Sequence, residues 1–345
     1  MARILFVSKD MGGANVTVPL ALQALRRGDD VVAVVEGLAA ARYEKWGLIP
    51  YFKGTVNFKE EPFTLDSQAM LKRINPDLVV VSAGFPINLE HQFASAANAY
   101  GIPFVAAEDF WGGSSRLQET RPSLILTPDE YGVALAHKRF GNVPACAVGN
   151  SGISDAEPRV EAFHFFSELR KRYSAVFAFV GGEGYTTADI MLLSSCLERT
   201  HANWCLIPRL HPKCEKNLIP GTQEMYGEMW RGMFNTLGER VIYAPNLASD
   251  DVVLCADMTL AAFSTLLTTA AYAGKTAVSI QTRESMASLE RQAGLDEVPV
   301  VALGCAHAVR APVDLSTFRP LTDAVREKLK PYDSKAAYEA INQLL

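Results

Sequence analysis

The sequence predicts an α/β protein of two doubly wound halves, each built on a parallel sheet, facing one another across a central cleft. Three observations predict it. Short, nearly continuous apolar runs recur along the chain, the pattern of strands buried on both faces. Helical segments separate these runs, as parallel neighbours require. The alternation stops in Gly149–Pro158 (GNSGISDAEP), rich in Gly, Ser and Pro with few apolar anchors, and then starts again.

In the first half, Ile4–Val7, Val31–Val35, Leu78–Val81 and Pro103–Ala106 read as strands. Between the first two, Val16–Arg27 places Val16, Leu20, Ala24 and Leu25 at helical spacing and stops at Gly28. That is a βαβ unit, whose crossover is expected to be right-handed. Leu124–Thr127 and Ala145–Val148 add two strands around a helical Glu130–Phe140. In the second half, strand Ala175–Val180 runs into GGEG, followed by a helix at Asp189–Thr200 and a strand at Trp204–Pro208. Val241–Ala244 reads as a further strand, and Ser249, Asp250 and Asp251 offer caps for a short helix through Cys255. Met258–Ala261, a helix at Leu266–Ala273 ending at Gly274, and Thr276–Ile280 follow. Ser334–Leu345 is an amphipathic tail helix. The expected divisions are therefore 1–150 and 151–330, both Rossmann-like, with 331–345 packing back on the first.

Composition limits the partners. The chain has 345 residues, 49% apolar and 21% charged, enough for two cores. A net charge of −5 leaves no basic surplus to neutralise a nucleic-acid backbone, whereas a small phosphorylated ligand needs only a local cluster. No run of about eighteen apolar residues occurs, so no membrane span is expected; peripheral association with a membrane stays open. The N-terminal apolar run is too short for a signal peptide, which points to the cytoplasm. The six cysteines, Cys146, Cys196, Cys205, Cys214, Cys255 and Cys305, show no CxxC spacing, so neither a zinc site nor disulfides are expected. No metal and no cofactor is expected, and the oligomeric state is not readable.

Ligands of open parallel sheets gather at the carboxyl ends of the strands, which makes the residues just after each strand the candidates. After the first strand, SKDMGGAN offers Asp10, Gly12, Gly13 and Asn15 at a helix start, where backbone can approach a ligand closely; a tight turn without ligand is the plain alternative. This is not GxGxxG, Glu36 is a faint echo of an acidic ribose partner, and GxxxxGK[ST] is absent, so a nicotinamide cofactor is disfavoured. AAEDFWGGSS places Glu108 and Asp109 side by side as a candidate general base, with Trp111 able to desolvate them. Gly181, Gly182, Glu183 and Gly184 form a loop able to wrap phosphates or a sugar, with Glu183 suited to a hydroxyl or a catalytic role. In RLHPK, an extended chain puts Arg209, His211 and Lys213 on one face around Pro212, a phosphate cluster or a solvated strand exit. Ser264 and Thr265 start a helix, with Thr268 and Thr269 a turn further in, an anion site or simple capping.

Together these features resemble the glycosyltransferase-B superfamily, which also includes the non-hydrolysing nucleotide-sugar 2-epimerases. RLHPK is similar to the His-Pro motif of bacterial sialyltransferases and capsule-type transferases, where that His contacts the donor phosphate, and to the matching epimerase segment. ADMTLAAFSTLLTTAAYAGKTAVSI is similar to the superfamily's donor-binding strand–helix–strand, with Ser264 and Thr265 in the phosphate-contacting position. AAEDFWGG falls where the epimerases carry a catalytic glutamate, here Glu108. Thr268 and Thr269 stand where the superfamily often has a Glu for the donor ribose, which leaves a cytidine-type donor open. The resemblance implies a glycosyltransferase moving a sugar from a nucleotide-sugar to an unknown acceptor, in surface polysaccharide or glycoconjugate synthesis. Asp10, Glu108, Asp109 and His211 would be catalytic, and Gly12, Gly13, Asn15 and Trp111 would lie on the acceptor side. The alternatives are a nucleotide-sugar 2-epimerase or hydrolase, and a non-catalytic nucleotide-binding protein of the same fold.

Overall fold

A computed structural model of the chain describes residues 1–54, 66–84, 88–117, 119–153, 157–211, 216–321 and 324–345. It divides into two compact units: Met1–Gly152 with Gln292–Gly294 and Lys330–Leu345, and Ile153–Arg291 with Leu295–Leu329.

The first unit carries seven parallel strands: β1 (Arg3–Ser8), β2 (Asp30–Glu36), β3 (Phe52–Gly54), β4 (Leu78–Ser82), β5 (Phe104–Ala107), β6 (Leu124–Thr127) and β7 (Ala145–Ala147). Their order is β3-β2-β1-β4-β5-β6-β7, with Ile4 opposite both Val31 and Leu78. Successive side chains of β1 enter two different cores. Ile4 and Phe6 pack with Val16, Leu20 and Ala24 of helix Met11–Arg26, and Leu5 and Val7 pack with Phe93 and Ala97 of helix Leu89–Tyr100. Burial on both faces is why the strand reads as an unbroken apolar run. Helix Leu89–Tyr100 stops at Gly101, whose φ of +68° is a left-handed turn natural for glycine.

The chain comes back to this unit beside β7. Asp333 N donates to the Val148 carbonyl at 2.7 Å and Asn150 N to the Lys330 carbonyl at 2.8 Å. Helix Ser334–Ile341, followed by a 3-10 turn Asn342–Leu344, then buries Ala337 and Ile341 in the Ile4–Phe6 core, and the Tyr338 hydroxyl donates to Asp29 at 2.6 Å.

The second unit carries β8 (Ala175–Gly181), β9 (Trp204–Leu210), β10 (Met258–Ala261), β11 (Thr276–Ile280) and β12 (His307–Val309), in the order β12-β11-β10-β8-β9. Phe179, Leu206, Leu260 and Val278 line one core, and Val176, Ala178, Cys205 and Ile207 another. Two expectations need correction. Val241–Ala244 is not a strand: only Val241 bridges to Leu206, and the Ala244 carbonyl turns instead to the Arg209 guanidinium at 2.8 Å. Strand β9 runs on to Leu210, so Arg209 lies inside the ladder opposite Val180 rather than beyond its end.

Among the described residues no helix is long and apolar enough to cross a membrane. Because Ile341 is fully buried, Ile341→Ala is expected to lower stability by about 3 kcal/mol, read as a shift of the urea midpoint.

Candidate functional site

In the first unit β1, β4 and β5 are neighbours, so the loops leaving their carboxyl ends lie side by side. Between β1 and β4 the strand order reverses, the switch point where open sheets bind ligands. Four carboxylates collect there. Asp10 caps helix Met11–Arg26, its Oδ1 accepting from Gly13 N at 2.7 Å. A Cβ at Gly84 would stand 2.2 Å from Asp10 Oδ2, and one at Gly12 would stand 2.0 Å from Asp109 Oδ2. These two glycines make room for carboxylates. Gly13 does the same for a hydroxyl, since a Cβ there would stand 2.3 Å from Ser82 Oγ.

Glu90 and Glu108 are held alike. Glu90 Oε1 accepts from Lys9 N at 3.0 Å and from Ser82 Oγ at 3.1 Å, and Ser82 Oγ lies 3.2 Å from Ser8 Oγ. Glu108 Oε1 accepts from Ser114 N at 2.9 Å and Ser114 Oγ at 2.6 Å. Among the described residues the second oxygen of each, with Asp109 Oδ1, is buried without a hydrogen-bond partner. Burial pushes Glu108 up to about 7 against the opposing Ser114 hydrogen bonds and Arg116 charge. Burial, then the nearby Asp10 charge, pushes Glu90 up to about 7. Asp109 keeps some exposed surface, yet it is raised in the same way, by burial and then by Asp10. Carboxyl groups with both forms populated near neutrality can give or take a proton.

In the second unit β10, β8 and β9 are neighbours, which brings three sequence features onto one rim: Phe263–Thr265, Gly181–Gly184 and Arg209–His211. His211 N donates to the Gly181 carbonyl at 2.9 Å, and the Tyr185 ring lies 5.1 Å from that of Phe263. Arg209 is half-buried, and desolvation presses its pKa down. Nη1 reaches the Ala244 carbonyl; among the described residues Nε is buried without a partner and no carboxylate pairs with the guanidinium. A cavity of about 450 Å³ opens beside the loop, lined by Glu183, Tyr185, Arg283, Glu284, Ser288 and Arg291. Ser288 Oγ links Glu183 Oε2 at 3.4 Å to Arg291 Nη2 at 3.3 Å.

Other expected residues have different surroundings. Trp111 is 1% exposed, and its indole N–H donates to both Asp129 oxygens at 2.9 Å, so its side chain packs in the core beside Asp129. Asn15 is half-buried on the helix that Asp10 caps. The Gly182 and Glu183 N–H groups turn inward onto Thr186 Oγ1, at 2.9 and 3.2 Å. Thr268 and Thr269 are buried, and both hydroxyls donate to the Thr265 carbonyl, while Ser264 Oγ accepts from Leu266 N at 3.2 Å. Pro212, Lys213 and Cys214 lie outside the described residues. Glu36 pairs with Lys9 at 3.6 Å.

Sequence reasoning missed Glu90 and the whole helix Arg283–Ala293. Glu90 sits in a first helical turn, where an acid ordinarily complements the helix dipole in solvent. For the second, a signal existed. Thr282 and Ser285 cap one another, Thr282 N to Ser285 Oγ at 3.0 Å and Ser285 N to Thr282 Oγ1 at 3.2 Å. That is the reciprocal pattern expected at a helix start.

No family model matches the chain, and no curated protein matches it. Solved structures do, and the likeness is to proteins of the glycosyltransferase-B fold. The chain is similar to the UDP-GlcNAc 2-epimerase from Methanocaldococcus jannaschii, with 13% identity, a TM-score of 0.63 and 99% of each chain covered. It is similar to S. aureus MnaA in its co-structure with UDP, with 12% identity, a TM-score of 0.62, and coverage of 100% of this chain and 88% of that one. It is also similar to CalG4, the calicheamicin glycosyltransferase, with 15% identity, a TM-score of 0.56, and coverage of 100% and 98%. At these identities the likeness is one of fold.

The buried acids make stability depend on pH in a definite direction. Glu90 and Glu108 titrate near 7 when folded and at an ordinary carboxylate value of about 4.3 when unfolded. Between those values the folded state binds the extra proton. Their contribution is therefore present below the unfolded value and lost as pH rises through the folded one. Urea midpoints should fall between about pH 5 and about pH 8, and Glu108→Gln should flatten the fall. A wild-type midpoint that rises over this window would contradict the assignment.

Proposed function

We propose that the protein is a nucleotide-sugar-dependent glycosyltransferase whose second unit holds the donor and whose first unit supplies the base. The observation that carries this reading is Arg209, a half-buried guanidinium at the carboxyl end of β9 with no acidic partner among the described residues. A buried cation without a counter-charge costs stability, and an anion arriving from solution offsets that cost. Phosphate suits a guanidinium better than any other common anion except carboxylate, because two N–H groups match two oxygens.

In this reading Arg209 and His211 face the donor phosphates, and Glu183, Ser288 and Arg291 receive the sugar in the cavity beside the glycine loop. An acceptor hydroxyl oxygen attacks the anomeric carbon and its proton passes to Asp109 or Asp10. The bond from that carbon to the phosphate oxygen breaks, and the departing nucleotide keeps the electron pair. Arg209 then stabilises the charge that builds on the phosphate. The mechanism calls on no metal and leaves Lys213 and the identity of the base, uridine or cytidine, aside. A nucleotide-sugar 2-epimerase is the second reading, favoured by Glu90 and Glu108, which both hold acid and base forms near neutrality. An epimerase interconverts sugar nucleotides alone, whereas a transferase needs an acceptor.

Two outcomes are expected. Arg209→Ala should weaken the binding of nucleoside diphosphate or monophosphate about tenfold to a hundredfold by calorimetry, as expected for a lost charge-assisted hydrogen bond. Equal affinity would move the phosphate site elsewhere. Asp109→Asn should lower turnover by about a hundredfold or more while donor affinity stays within twofold or so, since a base acts in the transition state.

A further inference from the structure

At the other edge of the first sheet, where its strands begin, large apolar side chains stand in solvent. Helix Gly37–Lys45 ends there, and the chain turns through Trp46–Tyr51 into the edge strand β3. Ile49 is 91% exposed, Trp46 51% and Tyr51 48%. The turn itself is well held. Trp46 N and Leu48 N donate to the Tyr43 carbonyl at 3.0 and 3.1 Å, and Tyr51 N donates to the Ala33 carbonyl at 2.8 Å. Leu48 is buried, so it anchors the turn while Ile49 projects from it. Cations lie among the rings. Arg42 sits over Trp46 at 5.9 Å and Arg73 over Tyr51 at 5.8 Å, which joins the turn to the end of helix Ser67–Ile74. Lys72 sits over Tyr100 at 5.2 Å and carries the surface on to the end of helix Leu89–Tyr100.

Among the described residues no carboxylate pairs with Arg42, Lys45, Lys72 or Arg73. The acids nearby are engaged elsewhere: Glu44 holds Lys53 at 2.7 Å, Asp30 holds Arg3 at 2.6 Å, and Asp77 accepts from Arg3 N at 2.7 Å. The chain as a whole carries −5, so this edge runs against its net charge. Cations in the last turns of helices complement the helix dipole, and that alone accounts for the charge. It does not account for an isoleucine and a tryptophan left in water among them, since exposed apolar area is unfavourable. A second copy seated here about a two-fold axis would set these cations against themselves. An anionic lipid surface meets every feature. Its headgroups attract Lys and Arg, Trp and Tyr favour the interfacial layer, and an apolar turn tip enters the acyl boundary. We propose that the Trp46–Tyr51 turn and its flanking cations are a docking surface for an anionic bilayer. The proposal does not depend on the transfer reading, because Asp10 and Asp109 follow β1 and β5 at the opposite edge of the sheet.

The chain carries its own reporter. Of its four tryptophans, Trp111, Trp204 and Trp230 are buried and Trp46 is exposed. The full-length protein is mixed with vesicles of phosphatidylglycerol and phosphatidylcholine in equal parts, or of phosphatidylcholine alone, and followed by tryptophan emission and by sedimentation. With the anionic vesicles the emission should move to shorter wavelength and the protein should pellet; with phosphatidylcholine alone it should do neither. Raising the salt to about 0.5 M should weaken partitioning about tenfold or more. Ile49→Ser should weaken it about tenfold, as should the double variant Lys45→Gln/Lys72→Gln. All three residues are exposed, so these variants keep the fold. Trp46→Phe should still pellet and lose the emission change. Absence of pelleting with anionic vesicles overturns the proposal, and so does equal pelleting with phosphatidylcholine alone. Undiminished partitioning of Ile49→Ser, or an emission change that survives Trp46→Phe, places the lipid on another surface and overturns it as well. A dimer in light scattering that Ile49→Ser dissolves, without vesicle binding, makes a second copy the occupant and has the same consequence.

Discussion

Every strand pairing in both sheets is parallel, and this single constraint orders the chemistry. Parallel pairing sends all strand carboxyl ends of a sheet to one edge, so loops distant in sequence become neighbours whenever their strands are. In the first unit β1, β4 and β5 adjoin, and Asp10, Gly84 and Asp109 meet although nearly a hundred residues separate the first from the last. In the second unit β10, β8 and β9 adjoin, and Phe263, Tyr185 and Arg209 share a rim. The hydrophobic runs that drive each sheet into a two-sided core therefore also determine which polar residues meet.

The two rims are electrostatic opposites. In the first unit burial acts on acids and favours their neutral forms, so Glu90 and Glu108 are poised near neutrality. Glycines at 12 and 84 admit carboxylates at distances that any Cβ would forbid. In the second unit burial acts on a guanidinium, which stays charged over the whole physiological range and has no carboxylate paired with it among the described residues. Desolvation favours the neutral form in both cases, raising the acids of one rim and lowering the guanidinium of the other.

The cavity of the second unit has its own support. Asp189, 1% exposed in helix Thr186–Arg199, accepts from Thr282 Oγ1 at 2.8 Å, and Thr282 and Ser285 cap helix Arg283–Ala293. Burial pushes Asp189 up to about 7 despite hydrogen bonds from Thr282 and Ser285. This network ties the helix that follows the glycine loop to the helix that presents Ser288 and Arg291. Its side chains hold the start of a helix that lines the cavity.

Some of this was legible in the linear chain. Leu124–Thr127, Glu130–Phe140, Met258–Ala261 and Thr276–Ile280 match the observed elements at both ends, because each is a single apolar run or period bounded by turn residues. The edge strands Phe52–Gly54 and His307–Val309 escaped, since three residues with one covered neighbour leave no periodicity to read. Val241–Ala244 misled for the converse reason: its apolar residues pack with those of β9, but the pairing stops at the single bridge of Val241 to Leu206. The candidate acids and the Arg209–His211 pair could be named from residue type and position after a strand. Their environment could not. Trp111 went to Asp129 rather than to Glu108, Thr268 and Thr269 turned to their own helix, and Glu90 turned inward from a position that reads as solvent-facing. Sequence alone determined which segments are buried on both faces, because hydrophobic periodicity is local. Which polar groups lose their water was decided only by the tertiary structure, because desolvation and charge coupling depend on every atom within a few ångströms, whatever its distance along the chain.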